Sequence, residues 1–271
     1  MSSILTNTSS MVALQTLKGI NKNMAKVQDE ISTGLKVATA KDNSSAWSIA
    51  STMKSDVTSY STLGESLASA SEMVGTFRKA AEDIGELVKQ IQTKAVAADG
   101  ADADTLAKLQ DDVDALTDAI TSIATSTQYN GISLISAAAT DRDVLVSIVR
   151  DETGALTAEH MTVTAQDLET LGAAITLADD GSQLDAIDTL LDDANTAAAA
   201  FGAAQTRIEA QSNMLASQVD ALKGGVSAMV DADMEEASAR LSALQTQQQL
   251  GIQALSIANS APQNVLSLFR N

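Results

Sequence analysis

The sequence predicts a mainly α-helical protein of long antiparallel helices packed as coiled coils, with one small β-hairpin inserted and the two chain ends paired. Three observations carry this. Apolar residues recur at alternating steps of four and three over long stretches, the spacing of a coiled-coil seam. Proline occurs once, at Pro262, and aromatics make up only 2% of 271 residues. A chain so poor in helix breakers can run long helices, and Ala, Leu, Ile, Val and Met suit close-packed helices better than a thick globule. One short segment, Val144 to Val149, is β-branched and apolar instead.

Taken in order, the first stripe is Ala13, Leu17, Ile20, Met24, Val27 and Ile31. The second runs from Tyr60 through Leu67, Phe77, Ile84 and Ile91 to Ala98, a helix of roughly 58 Å at about 1.5 Å per residue. Asp99-Gly100 should reverse the chain into an antiparallel neighbour, whose stripe is Leu106, Leu109, Val113, Leu116, Ile120 and Ile123. Asn130-Gly131 closes that segment. A hairpin is expected near 143–164, with its turn at Asp151 to Gly154, followed by loop and one short helix. Ser182 is a candidate cap for a further helix. The fourth stripe, Ile208 to Met229, contains Gly224-Gly225, which should bend or end it. The fifth holds Leu241, Leu244, Leu255 and Ala258, with Gln248 and Gly251 in register. Neither end can bury its stripe alone, so each needs the other end or a neighbouring molecule. Residues 1–42 with 231–271 therefore read as one terminal coiled-coil domain and 43–230 as a rod.

Charge sharpens that division. Residues 1–54 carry six Lys against Asp29, Glu30 and Asp42, and residues 232–271 carry two Arg against three acids, so the −18 of the chain lies in its middle. The ends read as self-contacting and the centre as solvent-facing. Such acidity opposes nucleic-acid binding. No stretch reaches 18 apolar residues, so no membrane insertion is expected. The Ser/Thr-rich start lacks the basic and apolar regions of a Sec signal peptide. With no Cys, one His and no Gly-rich phosphate loop, neither a cofactor nor an enzyme activity is expected.

Several short patterns together resemble one family. Ile31-Ser32-Thr33-Gly34-Leu35-Lys36-Val37 followed by Ala40-Lys41-Asp42-Asn43, then Glu86-Leu87 with Gln90, Thr127-Gln128-Tyr129-Asn130-Gly131, and Phe201 to Glu209 are each similar to bacterial flagellin sequences. At the C-terminus, Asp231-Ala232-Asp233-Met234, Leu250-Gly251, Ala258-Asn259 and Pro262 to Arg270 are the closest match. They occur in family order over roughly 1–131 and 200–271. The resemblance implies a short flagellin that polymerises with itself into the flagellar filament. It implies a secreted, extracellular protein, and export unfolded through the flagellar type III apparatus with a chaperone on the C-terminal helix. Hook-associated junction and cap proteins are implied partners. A hook–filament junction protein and a secreted coiled-coil adhesin are the rival readings. The residues expected to carry terminal packing and polymerisation are Leu17, Ile20, Met24, Val27, Ile31, Leu241, Leu244, Leu255, Val265, Leu266 and Phe269.

Departures from the family pattern fall in the segments that immune receptors read in flagellins. Ala38 replaces an Asn, Asn43 an Asp, and Ala46-Trp47 a Gly-Leu pair. Gly85, beside Glu86 and Gln90, stands where the family has Arg, so the bidentate charged fork is gone. Escape from both plant and animal receptors is the expectation.

Isolated features read more plainly. His160 has no nucleophile partner and falls in the hairpin, as a surface or turn residue. Asp231-Ala232-Asp233 starts like a calcium loop, but Glu236 and Ser242 stand where Gly and Glu are needed. Asn7-Thr8-Ser9 matches the N-glycosylation pattern by chance. Lys18, Lys22 and Lys26 form a stripe that is either a solvated face or, in a filament, a channel lining or a pair for a neighbour's acids. Gln248 at a seam position reads as a register-setting residue, and Pro262 as a kink or a new turn. Trp47 suits an interface anchor and packing within the subunit equally.

Overall fold

The computed structural model describes residues 7–151, 153–173 and 175–268, with side chains described as far as Ser260. Among the described residues there are five α-helices: α1 (Thr8–Thr33), α2 (Ser44–Ala98), α3 (Ala103–Ser126), α4 (Leu184–Val230) and α5 (Met234–Leu268). A two-stranded antiparallel sheet, β1 (Arg142–Arg150) and β2 (Leu156–Val163), and a 3₁₀ turn at Thr170–Gly172 lie between α3 and α4. The chain divides into two compact units: residues 1–57 with 220–271, and residues 58–219. The sequence reading places those divisions at 42/43 and 230/231.

On α2 the heptad pattern tracks burial closely, whereas on α3 only Val113 and Ile120 of the expected stripe are buried, beside Thr117 and Ala124. Every position of the second stripe, from Tyr60 through Val74, Phe77, Ile84 and Val88 to Ala98, is buried. The face is turned toward α4, which runs antiparallel: a Cβ at Gly64 would meet Leu215, one at Gly75 would meet Gln205, and one at Gly85 would meet Ala194. Phe77 and Phe201 pack as a tilted pair, ring centroids 6.2 Å apart and ring planes 39° apart. The apolar face of α4 begins well before the expected stripe, at Ile187, Ala194, Ala197 and Phe201. Alanines dilute the pattern there and hide it from a count of large residues.

The helix ends follow their local chemistry. Gly100 takes a left-handed φ of 71°, and the Asp102 carboxylate accepts the Thr105 N–H at 2.7 Å to start α3. Lys94 reaches Asp112 across the α2–α3 pair at 2.5 Å. Asn130 and Gly131 both adopt positive φ, 51° and 77°. That is the two-residue tight turn such a pair favours, closed by reciprocal hydrogen bonds between Tyr129 and Ile132. In the hairpin turn, the Asp151 carboxylate accepts the Thr153 hydroxyl and the N–H groups of Thr153 and Ala155. Those bonds hold its pKa below the usual carboxylate value, so they support the turn above that range and are lost on acidification.

The sequence misses how the loop before α4 is fixed. The Gln110 side chain on α3 acts as a backbone mimic. Its Oε1 accepts the Leu177 N–H and its Nε2 donates to the Ile175 carbonyl, both at 2.7 Å. Gln183, buried at the start of α4, bonds both backbone groups of Ala178. The residue preceding α4 is thus Gln183, one place after the expected cap at Ser182.

Gly224-Gly225 neither ends α4 nor interrupts it, because the helix continues to Val230. Gly225 instead permits a close approach, since a Cβ there would come within 2.8 Å of the Met53 Cε. That packing sits beside a buried cluster of Val37, Ala50, Val226 and Val230 in the terminal unit.

Candidate assembly surface

The terminal unit is built by joining the end of α1 to the start of α5. Asn7 caps α1 by accepting the Ser10 N–H at 3.0 Å. Gly34 ends it in a left-handed conformation, with its N–H on the Glu30 carbonyl. From there Lys36 and Val37 both donate to the Val230 carbonyl, and Ala232 donates to that of Gly34. Asp233 then caps α5, its carboxylate accepting the N–H groups of Glu235 and Glu236 at 3.0 and 3.1 Å. The acidic Asp231-Ala232-Asp233 segment is thus a helix start, and Glu235 and Glu236 in the first turn suit the helix dipole. Among the described residues no group of three or more His, Cys, Asp or Glu is placed to hold a metal.

α1 and α5 pack antiparallel. Val27, Ala237 and Leu244 are buried at the centre, with Ile20, Met24, Ile31 and Leu241 packed round them. Leu17 lies against Gly251, where a Cβ would approach the Leu17 Cδ1 to 3.2 Å. Leu255 is half-buried further along. Val265 and Leu266 belong to α5, but their side chains, like Phe269 as a whole, lie outside the described residues. Three polar contacts fix the register. Gln248 Nε2 donates to Asn21 Oδ1 at 2.8 Å, Asn7 Nδ2 to the Ala258 carbonyl at 2.7 Å, and Ser10 Oγ to Asn259 Oδ1 at 2.6 Å. A seam amide that finds its partner in only one alignment penalises every slipped one.

The seam is therefore filled within one molecule, and the surface it leaves open is another. Met11, Val12 and Leu14 on α1 and Leu250, Ile252 and Ile257 on α5 are exposed, from 44% at Leu14 to 70% at Ile257. The sequence reading passes over them because they lie off the heptad seam; their signal is large aliphatic residues at positions between the stripe members. Lys18, Lys22 and Lys26 are exposed, and Lys26 pairs with Glu30 at 3.7 Å. Charge separates between the units: residues 1–57 with 220–271 hold nine basic and nine acidic residues, whereas 58–219 hold eight basic against 26 acidic. Identical copies can thus meet through the terminal unit without net repulsion.

The positions of the altered receptor segments divide by environment. Asn43 caps α2, accepting the Ala46 N–H at 3.1 Å, a role Asp fills equally well. Asp42 accepts the N–H and hydroxyl of Thr39, which lower its pKa. Ala38 is exposed, Ala46 packs against the Val37–Val226 cluster, and Trp47 is 41% exposed. Glu86 and Gln90 face outward on α2, but Gly85 is buried toward α4, its Cβ position 3.8 Å from Ala194 and Asn195. His160 pairs with Leu145 across the β1–β2 ladder and is exposed.

Comparison with known proteins matches this architecture at both ends. Residues 4–140 match the bacterial flagellin N-terminal helical region, and residues 184–269 the bacterial flagellin C-terminal helical region. The chain is 40% identical over 282 residues to a flagellin of Brucella melitensis, with 100% of both chains covered. It is 34% identical to flagellin C of Rhizobium meliloti, again over 100% of both. Flagellin FljK of Caulobacter vibrioides is also 34% identical, over 100% of this chain and 99% of that one. With both helical regions matched in order and the relatives aligned from end to end, the chain belongs to the bacterial flagellin family.

Proposed function

We propose that the terminal unit, residues 1–57 with 220–271, forms the inner, self-contacting part of a helical homopolymer, and that residues 58–219 form an outer rod. As a flagellin the chain is a structural subunit of the flagellar filament and not an enzyme. The observation that carries the inner placement is the set of exposed aliphatic side chains on α1 and α5 within a unit of no net charge. Water-exposed apolar surface of this kind marks an interaction site. The strongly acidic rod suits a solvent-facing exterior.

Leu255→Arg or Leu17→Asp is expected to abolish polymerisation while residues 58–219 remain helical. Negative-stain microscopy of seeded protein checks this, and normal filaments from either variant would sink the proposal. A junction protein would add only a thin layer to a seed, and an adhesin would add none, so sedimentation of seeded wild-type protein separates the readings.

The further partners follow from the same surface. Before assembly the apolar side chains of α5 need cover, which supports a chaperone on that helix during export through the flagellar type III apparatus. Secretion to the cell exterior, and contact with junction and cap proteins at the filament ends, complete this reading.

Loss of immune recognition is the remaining proposal. At Gly85 no side chain can offer a charged fork, and its Cβ direction points at α4. A reporter cell carrying the animal receptor is expected to stay silent on the purified protein, and full activation at nanomolar concentration would refute this.

A further inference from the structure

Three glycines of the chain follow an acidic residue or its amide: Asp99-Gly100, Asn130-Gly131 and Asp180-Gly181. Glycine carries no Cβ, so its backbone nitrogen is the least shielded in the chain. Such pairs are open to one intramolecular reaction. The glycine nitrogen attacks the carbonyl carbon of the preceding side chain and closes a five-membered succinimide. Two conditions decide whether a folded chain permits it. The side chain must be free of partners, and the glycine N–H must not be held in a hydrogen bond.

Among the described residues the fold meets both conditions at one pair. At Asp99-Gly100 the nucleophile is engaged, because the Gly100 N–H donates to the Asp179 carbonyl at 3.0 Å. At Asp180-Gly181 the side chain is engaged. Its carboxylate accepts the Ser182 N–H at 3.0 Å, and the bonds to Ser182 hold its pKa below the usual carboxylate value. A carboxylate is also a poorer electrophile than an amide. At Asn130-Gly131 both residues are exposed. The bonds that close this turn run between Tyr129 and Ile132 and use neither the Asn130 amide nor the Gly131 N–H. A Cβ at Gly131 would meet nothing within 4 Å, so no neighbour shields the approach.

We infer that Asn130-Gly131 is a site of spontaneous covalent modification, at which Asn130 becomes isoaspartate or aspartate in the folded protein. The inference does not depend on the filament reading. The Gly131 nitrogen bonds to Asn130 Cγ, and the Cγ–Nδ2 bond breaks. Ammonia leaves with the two amide hydrogens and the proton of the Gly131 N–H. Water then opens the ring. Cleavage at Cγ gives aspartate, and cleavage at the main-chain carbonyl carbon gives isoaspartate, whose main chain runs through Cβ and Cγ. Water is the sole co-reactant, and each conversion adds a negative charge. Attack requires rotation about the Asn130 Cα–C bond, which the Tyr129–Ile132 bonds oppose. The isoaspartyl product adds a methylene to the main chain of a two-residue turn. Tyr129, one residue earlier, places its hydroxyl 3.3 Å from that of Ser69 on α2, and Leu134 and Ile135 beyond the turn are fully buried. Lengthening the turn therefore loosens the tie between the end of α3 and α2.

The test ages full-length protein in mildly alkaline buffer, one sample folded and one held unfolded in guanidinium chloride. Peptide mapping, with chromatography to separate isoaspartyl from aspartyl forms, follows positions 99, 130 and 180 over time. Unfolded, all three pairs should convert. Folded, positions 99 and 180 should be strongly suppressed, while 130 keeps a large part of its unfolded rate. Suppression at 130 as strong as at the other two overturns the inference, and so does the absence of product at 130 in the folded sample. Asn130→Asp supplies a second reading that preserves the turn, since Asp shares with Asn the tolerance of a left-handed φ, here 51°. This variant should form isoaspartate more slowly than wild type. An equal rate would show that the amide is not the reacting group and would overturn the inference as well. Hydrogen exchange at the Tyr129 and Ile132 amides should quicken in the converted fraction, and unchanged exchange overturns the loosening of the turn.

Discussion

Phe77→Ala is expected to be among the most damaging single replacements in residues 58–219, lowering stability by about 3–5 kcal/mol. Phe77 is fully buried on α2, and its ring packs on Phe201 of α4 with centroids 6.2 Å apart. The chain has only three phenylalanines, and this pair fills the interior where α2 and α4 present mostly small residues, Ala80, Ala81, Ala194 and Ala197. Alanines cannot swing into the space a ring leaves, so the cavity stays largely open and the full cost is felt. Urea unfolding followed by circular dichroism measures this. A loss below about 1 kcal/mol, the average for any replacement, would mean that the two helices close over the gap and that the rings are not the wedge between them.

Val27→Asp is expected to separate α1 from α5. Val27 is 4% exposed and sits with Ala237 and Leu244 at the centre of the terminal seam. A carboxylate there has no buried cation to meet, and an unpaired buried charge costs several kcal/mol. Glu30, one turn along and itself buried to 9% exposure, adds repulsion. The seam has little reserve, because its other members are only half-covered and its polar contacts, Asn21 with Gln248 among them, are partly open to water. Limited proteolysis should therefore cut within residues 8–33 of the variant at once, while fragments spanning 58–219 persist. Protection of α1 equal to wild type would show that the terminal pairing does not depend on this cluster.

The two variants probe seams that differ in how far the sequence discloses them. For α2 every position the heptad spacing names from Tyr60 to Ala98 is buried, though Met73, Ala80 and Gly85 are buried beside them, because a long helix packed along its whole length must place one residue in every three or four against its neighbour. The α1 and α5 stripes are equally legible, and so is the amide at Gln248. The first turns of α4 are not, since alanine is as common on exposed helix faces as on buried ones. The Gly224-Gly225 pair also misleads. Glycine weakens a helix by backbone entropy, but packing against Met53 overrides that local preference.

What the sequence by itself determined is which face of each helix is apolar, where the chain reverses, and that the charge lies in its middle. Spacing fixes these because helix periodicity and turn chemistry act within a few residues. Only the tertiary structure decided which partner each face receives. It gives the α1 stripe to α5, directs Gly85 toward α4, sets Asn43 to cap α2, and leaves Leu250 and Ile257 in water. An apolar stripe is equally satisfied by any surface that excludes water, since the hydrophobic effect carries no direction. Choosing the partner takes chain connectivity, here the Gly34–Val37 joint with Val230 and Ala232, and amides that bond in a single register.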